Sequence, residues 1–85
     1  MPRKSAFEKA CEKAEAMRDR ISQADALYLY GRYKRATSRV DPEPVGVFSW
    51  PTIDNYKKKA FWDCRHLSRT KAKQEYVAKV NELST

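Results

Sequence analysis

The stretch YLYGRYKRAT, Tyr28 to Thr37, crowds three tyrosines, three cationic side chains and a glycine into ten residues. A core selects aromatics without charge, and a solvated face selects charge without aromatics. Mixing the two suits a surface that holds something flat and anionic. A ring stacks on a planar base, a phenol donates to a phosphate oxygen, and a lysine supplies a charged donor. The preceding "SQAD" places capping groups at Ser22 and Asp25, and no proline occurs between it and Ser38. A helix is therefore predicted from there to about Ser38. On it Tyr30, Tyr33 and Lys34 stand at i, i+3 and i+4 and share a face, while Tyr28 and Leu29 point elsewhere. Gly31 costs such a helix about 1 kcal/mol relative to alanine, so another helix or a ligand is expected to cross closely there. By pattern alone, a tyrosine-rich core stripe edged by solvated lysine accounts for this face as well.

The neighbouring segments are also helical. "SAFE" opens a first helix, with Ser5 as cap, and Phe7, Ala10, Cys11, Ala14 and Met17 form its apolar stripe. Residues 38–51 hold three of the four prolines, so no helix passes through them. Val45, Val47, Phe48 and Trp50 suggest a loop that packs on the body. A third helix is predicted from between Thr52 and Asn55 to about Leu67, with Ala60, Cys64 and Leu67 facing the core. Ser68 or Thr70 caps a fourth, where Ala72, Tyr76, Val80 and Leu83 recur at helical spacing. Period-two alternation is nowhere sustained. The expectation is all-α: four helices around one small core, a single domain over residues 1–85.

A chain of 85 residues builds one modest core and hardly a deep catalytic cleft as well. Its net charge is +7, and residues 28–59 carry the largest excess, seven Lys/Arg against three Asp/Glu. Such a field favours a partner with phosphates: nucleic acid, an anionic membrane or a phosphorylated small molecule. Only "MPRKS" precedes the first helix, so no apolar signal segment is expected, and no apolar run is long enough to span a membrane. With Cys11 and Cys64 read as reduced thiols, a cytoplasmic location is expected.

Catalysis finds no constellation. His66 is the single histidine, and Cys64 two residues away diverges from it on a helix. That spacing does not make a zinc site, and one histidine leaves no nucleophile, base and orienter. No metal, no cofactor and no catalytic residue is expected. "KKKAFW" fans Lys57, Lys58 and Lys59 over most of a turn at the start of the third helix, so one or two can face any one ligand. Cations in a first turn oppose the helix dipole. A use for that charge and a solvated cluster both remain open.

"YGRYKRAT" resembles the Y-x-x-Y-K-x-A-T signature of the acyl-CoA-binding protein family. The likeness extends through "FEKA" in the first helix, "PVGVF" in the loop, "AFWD" in the third helix and "EYVAKVNEL" in the fourth. It covers nearly the whole chain. It implies a monomeric four-helix bundle that binds medium- to long-chain acyl-CoA esters reversibly, for transport or buffering, and is not an enzyme. It further implies that Tyr30 and Lys34 meet the 3′-phosphate of CoA. Tyr33 meets the adenine, Tyr76 approaches from the fourth helix, and Lys57 matches a lysine of the family site. Gly31 and Arg32 fall inside the signature, and Ala26 and Leu27 would neighbour the acyl chain.

Departures from the family accompany the likeness. Phe61 stands where the family has a lysine that helps hold the 3′-phosphate, with Lys58 and Arg65 as candidate replacements. Glu15 stands at a position that is commonly basic, with Arg18 one turn later. The loop before the third helix is longer than usual and the connection into the fourth is shorter. The rival reading is a small basic module that binds nucleic acid or a protein or membrane partner. Nucleic acid is not expected, because the basic residues are spread over all the helices. Transient contact with a membrane or an acyl-CoA-using enzyme is compatible with the carrier reading.

Overall fold

The computed structural model describes residues 4–42 and 53–84. Four helices occur in order: α1 Ala6–Met17, α2 Gln23–Thr37, α3 Ile53–Asp63 and α4 Arg69–Leu83. No strand occurs among the described residues. The candidate loop residues Val45, Val47, Phe48 and Trp50 lie outside them.

α1, α2 and α4 each start on a serine. The Ser5, Ser22 and Ser68 hydroxyls accept from the backbone N–H of Glu8, Asp25 and Lys71 at 3.1, 3.2 and 3.1 Å. Each cap satisfies an otherwise orphan donor and is worth about 1 kcal/mol. The caps also fix the register, and so decide which side chains of α2 face inward.

α1 packs on α4, and α2 packs on both α4 and α3. The core is Ala10 and Ala14 of α1, Leu29 of α2, and Tyr76 and Val80 of α4. Phe7, Cys11 and Met17 are half-buried against it, so the stripe predicted for α1 faces the core as a whole. In α4, Ala72, Tyr76 and Val80 are buried and Leu83 packs at the edge. Two ion pairs tie α2 to α4: Arg32 to Glu75 at 3.2 Å and Lys79 to Asp25 at 3.2 Å. Between them lies the Tyr28 ring, with the Arg32 guanidinium 3.6 Å and the Lys79 ammonium 5.5 Å from its centroid.

α3 ends at Asp63, four residues short of the predicted Leu67. The chain tightens into i→i−3 bonds: Cys64, Arg65 and Leu67 donate to Phe61, Trp62 and Cys64, each at 3.0 Å. The tightening sinks Cys64 completely against α2. It also turns the Leu67 carbonyl toward Arg35, which donates to it at 2.7 Å. Ser68, extended at φ −71° and ψ 162°, then starts α4.

Gly31 is buried where α2 crosses α3. A Cβ there would lie 2.5 Å from the Ala60 carbonyl oxygen and 3.1 Å from Cys64 Sγ. The close crossing expected from its position in α2 is therefore made by a helix. Gly31→Ala should destabilise the protein by roughly 1–3 kcal/mol, as overpacking does, although alanine is the better helix former by about 1 kcal/mol. Urea unfolding checks this, and a gain in stability for Gly31→Ala would contradict the close approach.

Candidate ligand-binding cleft

α1 and α2 both rest on α4, and their backbones do not come close to one another. The gap between them is an open cleft of about 350 Å³. Cys11, Ala14 and Glu15 line it from α1, Ile21 from the connection, and Ala26, Leu29, Tyr30 and Tyr33 from α2, with Tyr76 of α4 as floor. The α2 set follows i, i+3, i+4 and i+7, a single helical stripe. The α1 set follows i, i+3 and i+4. Small residues at Ala14 and Ala26 leave the room, and phenols edge it.

Aromatic contacts order the upper part. The Tyr33 ring, 42% exposed, stacks on Phe7 with centroids 6.1 Å apart and planes inclined by 21°. Phe7 meets Tyr76 edge-on at 5.1 Å, and Tyr33 and Tyr76 are 6.3 Å apart. Tyr33 thus offers an exposed ring that two more buried neighbours hold in place.

α3 brings charge to the same side of α2. Lys57 Nζ lies 5.4 Å from the Tyr30 ring centroid, and Lys34 Nζ lies 5.8 Å from that of Phe61. Neither lysine forms an ion pair among the described residues. Of the other lysines in the run, Lys59 is held by Asp63 at 3.0 Å and Lys58 is exposed. The run splits as three consecutive helical residues must, with one lysine on the site side. Arg65, a candidate replacement for the missing lysine, lies 4.2 Å from the Trp62 ring centroid and donates to the Trp62 carbonyl. Arg18, the candidate stand-in at the first-helix position, pairs with Glu15 at 3.1 Å.

Ala26, Tyr30, Tyr33 and Tyr76 meet around the cleft; Lys57 adjoins it through Tyr30, and Phe61 lies beside Lys34, one helical turn on from Tyr30. Three other candidates lie elsewhere. Gly31 is covered by α3. Leu27 and Arg32 border a separate hollow of about 450 Å³ on the opposite side of α2, with Tyr28 and Tyr56. Arg32 is already engaged with Glu75 and Tyr28. A signature read along the chain cannot separate these faces, whereas a 100° turn per residue does. Phe7, Cys11, Ala14, Glu15, Ile21 and Leu29 were absent from the sequence-derived set. For Phe7, Cys11 and Ala14 the signal was the α1 stripe itself, which reads as core because one stripe serves both core and cleft; Glu15, Ile21 and Leu29 lie outside that stripe.

The two thiols are free. Burial pushes the Cys11 thiol above its ordinary range, opposed in part by a hydrogen bond with Tyr76. Burial likewise raises the Tyr76 phenol, with the Cys11 thiol adding to the shift. Tyr76 therefore stays neutral at physiological pH and serves as an apolar floor with one polar edge. Among the described residues no three His, Cys, Asp or Glu side chains converge to hold a metal ion.

This combination is a helical bundle with a candidate ligand cleft: apolar below, phenolic at the rim, and flanked by two lysines that form no ion pair among the described residues. Comparison with known proteins gives it a family. Residues 4–80 match the family described as acyl CoA binding protein. Acyl-CoA-binding domain-containing protein 2 of rice (Oryza sativa subsp. japonica) is 41% identical over 81 residues, covering 91% of this chain and 84% of the relative. Acyl-CoA-binding protein 2 of Saccharomyces pastorianus is 38% identical, covering 85% of each chain. The crystal structure of Oryza sativa acyl-CoA-binding protein 2 superposes with a TM-score of 0.75 at 36% identity, over 93% of this chain and 87% of that one. This chain belongs to the acyl-CoA-binding protein family.

The cleft position of Cys11 is open to a chemical check. The thiolate is the reactive form, so a raised pKa displaces the pH profile of alkylation upward from that of a free thiol. Iodoacetamide should modify Cys11 slowly at pH 8 and leave Cys64 untouched until the protein unfolds. Fast reaction at both thiols in the native protein, measured by mass spectrometry, would contradict this burial.

Proposed function

We propose that this chain binds medium- to long-chain fatty acyl-CoA esters reversibly and carries or buffers them in the cytoplasm as a monomer, without transforming them. The observation behind this reading is the cleft between α1 and α2, where an apolar floor and a cation-flanked aromatic rim lie side by side. One ligand with an apolar chain, a planar base and phosphates matches all three features. In this role Tyr33 presents its exposed ring to the adenine. Tyr30 and Lys34 serve the phosphates, and Lys57 adds a second cation from α3. The acyl chain runs over Ala14, Ala26, Leu29 and Tyr76. Membership of the family and the names of the rice and yeast relatives support the same ligand class.

Calorimetric titration tests the reading. Acyl-CoA should bind far more tightly than free CoA or free fatty acid. Affinity should rise with chain length by up to about 0.8 kcal/mol per buried CH₂ until the cleft is full. A flat response to chain length would overturn it.

Phe61 gives a sharper test. In place of the usual lysine, its ring holds the Lys34 ammonium, so Lys34 carries more of the phosphate interaction. Lys34→Ala should weaken binding by roughly 1.5–3 kcal/mol, the worth of a charge-assisted contact. Phe61→Lys should strengthen binding of acyl-CoA, with less gain for acyl-dephospho-CoA and less at high salt, where exposed charges are screened over about 10 Å at 0.1 M. Equal weakening toward both ligands would show instead that the site needs the apolar ring.

A further inference from the structure

The C-terminus of α2 and the connection from α3 to α4 come together at one end of the bundle. Arg69 donates to the Ser38 carbonyl at 3.2 Å, and Arg35 donates to that of Leu67. This end is strongly cationic. Residues 64–74 contain no carboxylate, and residues 34–42 contain only Asp41. The acids that flank residues 64–74 in the chain, Asp63 and Glu75, are paired with Lys59 and Arg32. Arg39, Arg65, His66, Arg69 and Lys71 are all exposed.

Stability does not account for this choice. The first turn of α4 holds Arg69 and Lys71 and no acid. Cations at a helix N-terminus oppose the macrodipole, where acids would stabilise it. The dipole instead adds to the positive potential of the surface.

Val40 stands in the same place and is 69% exposed, the largest exposure among the described large hydrophobic residues. It is held there: its N–H donates to Ser38 Oγ at 3.1 Å, and the Ser38 hydroxyl donates to its carbonyl at 3.1 Å. An aliphatic side chain fixed outward beside exposed cations is the arrangement of a peripheral membrane contact. Apolar area enters the headgroup layer while cations meet lipid phosphates. A nucleic-acid strand would reward an exposed ring, but the nearby Trp62 is covered by Arg65.

We propose that this end of the bundle docks on an anionic phospholipid bilayer, with Val40 in the headgroup layer and Arg39, Arg65, Arg69 and Lys71 against the lipid phosphates. The surface is distinct from the cleft between α1 and α2, so the proposal stands whether or not the cleft binds acyl-CoA.

Vesicle flotation with ligand-free protein tests it. Phosphatidylcholine vesicles should not float the protein, and vesicles doped with phosphatidylserine should. Each cation near such a surface is worth about fivefold in affinity. The triple variant Arg39→Gln/Arg65→Gln/Lys71→Gln should therefore lose on the order of a hundredfold. A control with the same net charge, Lys9→Gln/Lys13→Gln/Arg20→Gln, should bind nearly as the parent. Val40→Ser should weaken vesicle binding without affecting retention on heparin, a soluble polyanion. Unchanged helical circular dichroism and melting confirm that each variant is folded. Equal loss in the two triple variants would overturn the proposal, as would loss of heparin and vesicle binding in parallel for Val40→Ser. Tight binding to duplex RNA with none to anionic vesicles would overturn it in favour of nucleic acid.

Discussion

Gly31 lets the backbones of α2 and α3 approach until a single added carbon would collide with the Ala60 carbonyl. α3 packs on α2 alone among the described helices, so this crossing positions everything that α3 contributes. With the helices this close, Lys57 lies over Tyr30 and Phe61 lies under Lys34. A larger residue at position 31 would move α3 outward and separate these pairs. The glycine in the motif thus acts on the cleft from the opposite face, by setting where the cations stand.

α4 plays the complementary part. α1 and α2 meet through its buried face, where Tyr76 and Val80 lie beneath Ala10, Ala14 and Leu29. Small residues on α1 allow it to sit low on α4, and the separation between α1 and α2 becomes usable space. Filling that space with side chains would add buried apolar area and stability, at roughly 25 cal/mol per Å². The sequence leaves it open with alanines and edges it with phenols. Burial favours keeping Tyr76 uncharged, so the floor remains apolar over the whole physiological range. The ion pairs around Tyr28 hold α2 to α4 on the far side, where Arg32 and Lys79 serve packing and leave the cleft to other cations.

Much of this was legible in the chain. Serine caps, proline positions and apolar periodicity located the helices, because these are local constraints. The shared face of Tyr30, Tyr33 and Lys34 came from helical geometry, and the family likeness agreed with it. Three matters required tertiary structure. α3 ends early in a run of i→i−3 bonds, and Arg35 of another helix takes up the Leu67 carbonyl beyond it, a contact that no periodicity in α3 records. Leu27 precedes the signature and Arg32 falls inside it, but both face away from the cleft, and Arg32 is claimed by Glu75, distant in the chain. Cys11, Ala14 and Glu15 line the cleft because α1 and α2 stand apart, and no property of α1 alone encodes that separation.

The distribution of charge depends on the same architecture. Cations that face carboxylates across a helix pair, as Arg32 and Lys79 do, are consumed in holding the bundle. Lys34 and Lys57 face rings instead. An ammonium over an aromatic face gains about 0.5–1 kcal/mol at exposed sites, less than a desolvated phosphate contact offers it, so these two remain available to an anionic ligand. Arg39, Arg65 and Lys71 lie in segments whose sole carboxylate is Asp41. A net charge of +7 is therefore divided by position: cations inside the helix pairs are neutralised, those beside the cleft are lightly held, and those at the α2–α4 end face solvent. Cations left without a carboxylate partner on a surface attract anions over a distance, so position decides which charges of the chain act within the bundle and which act outside it.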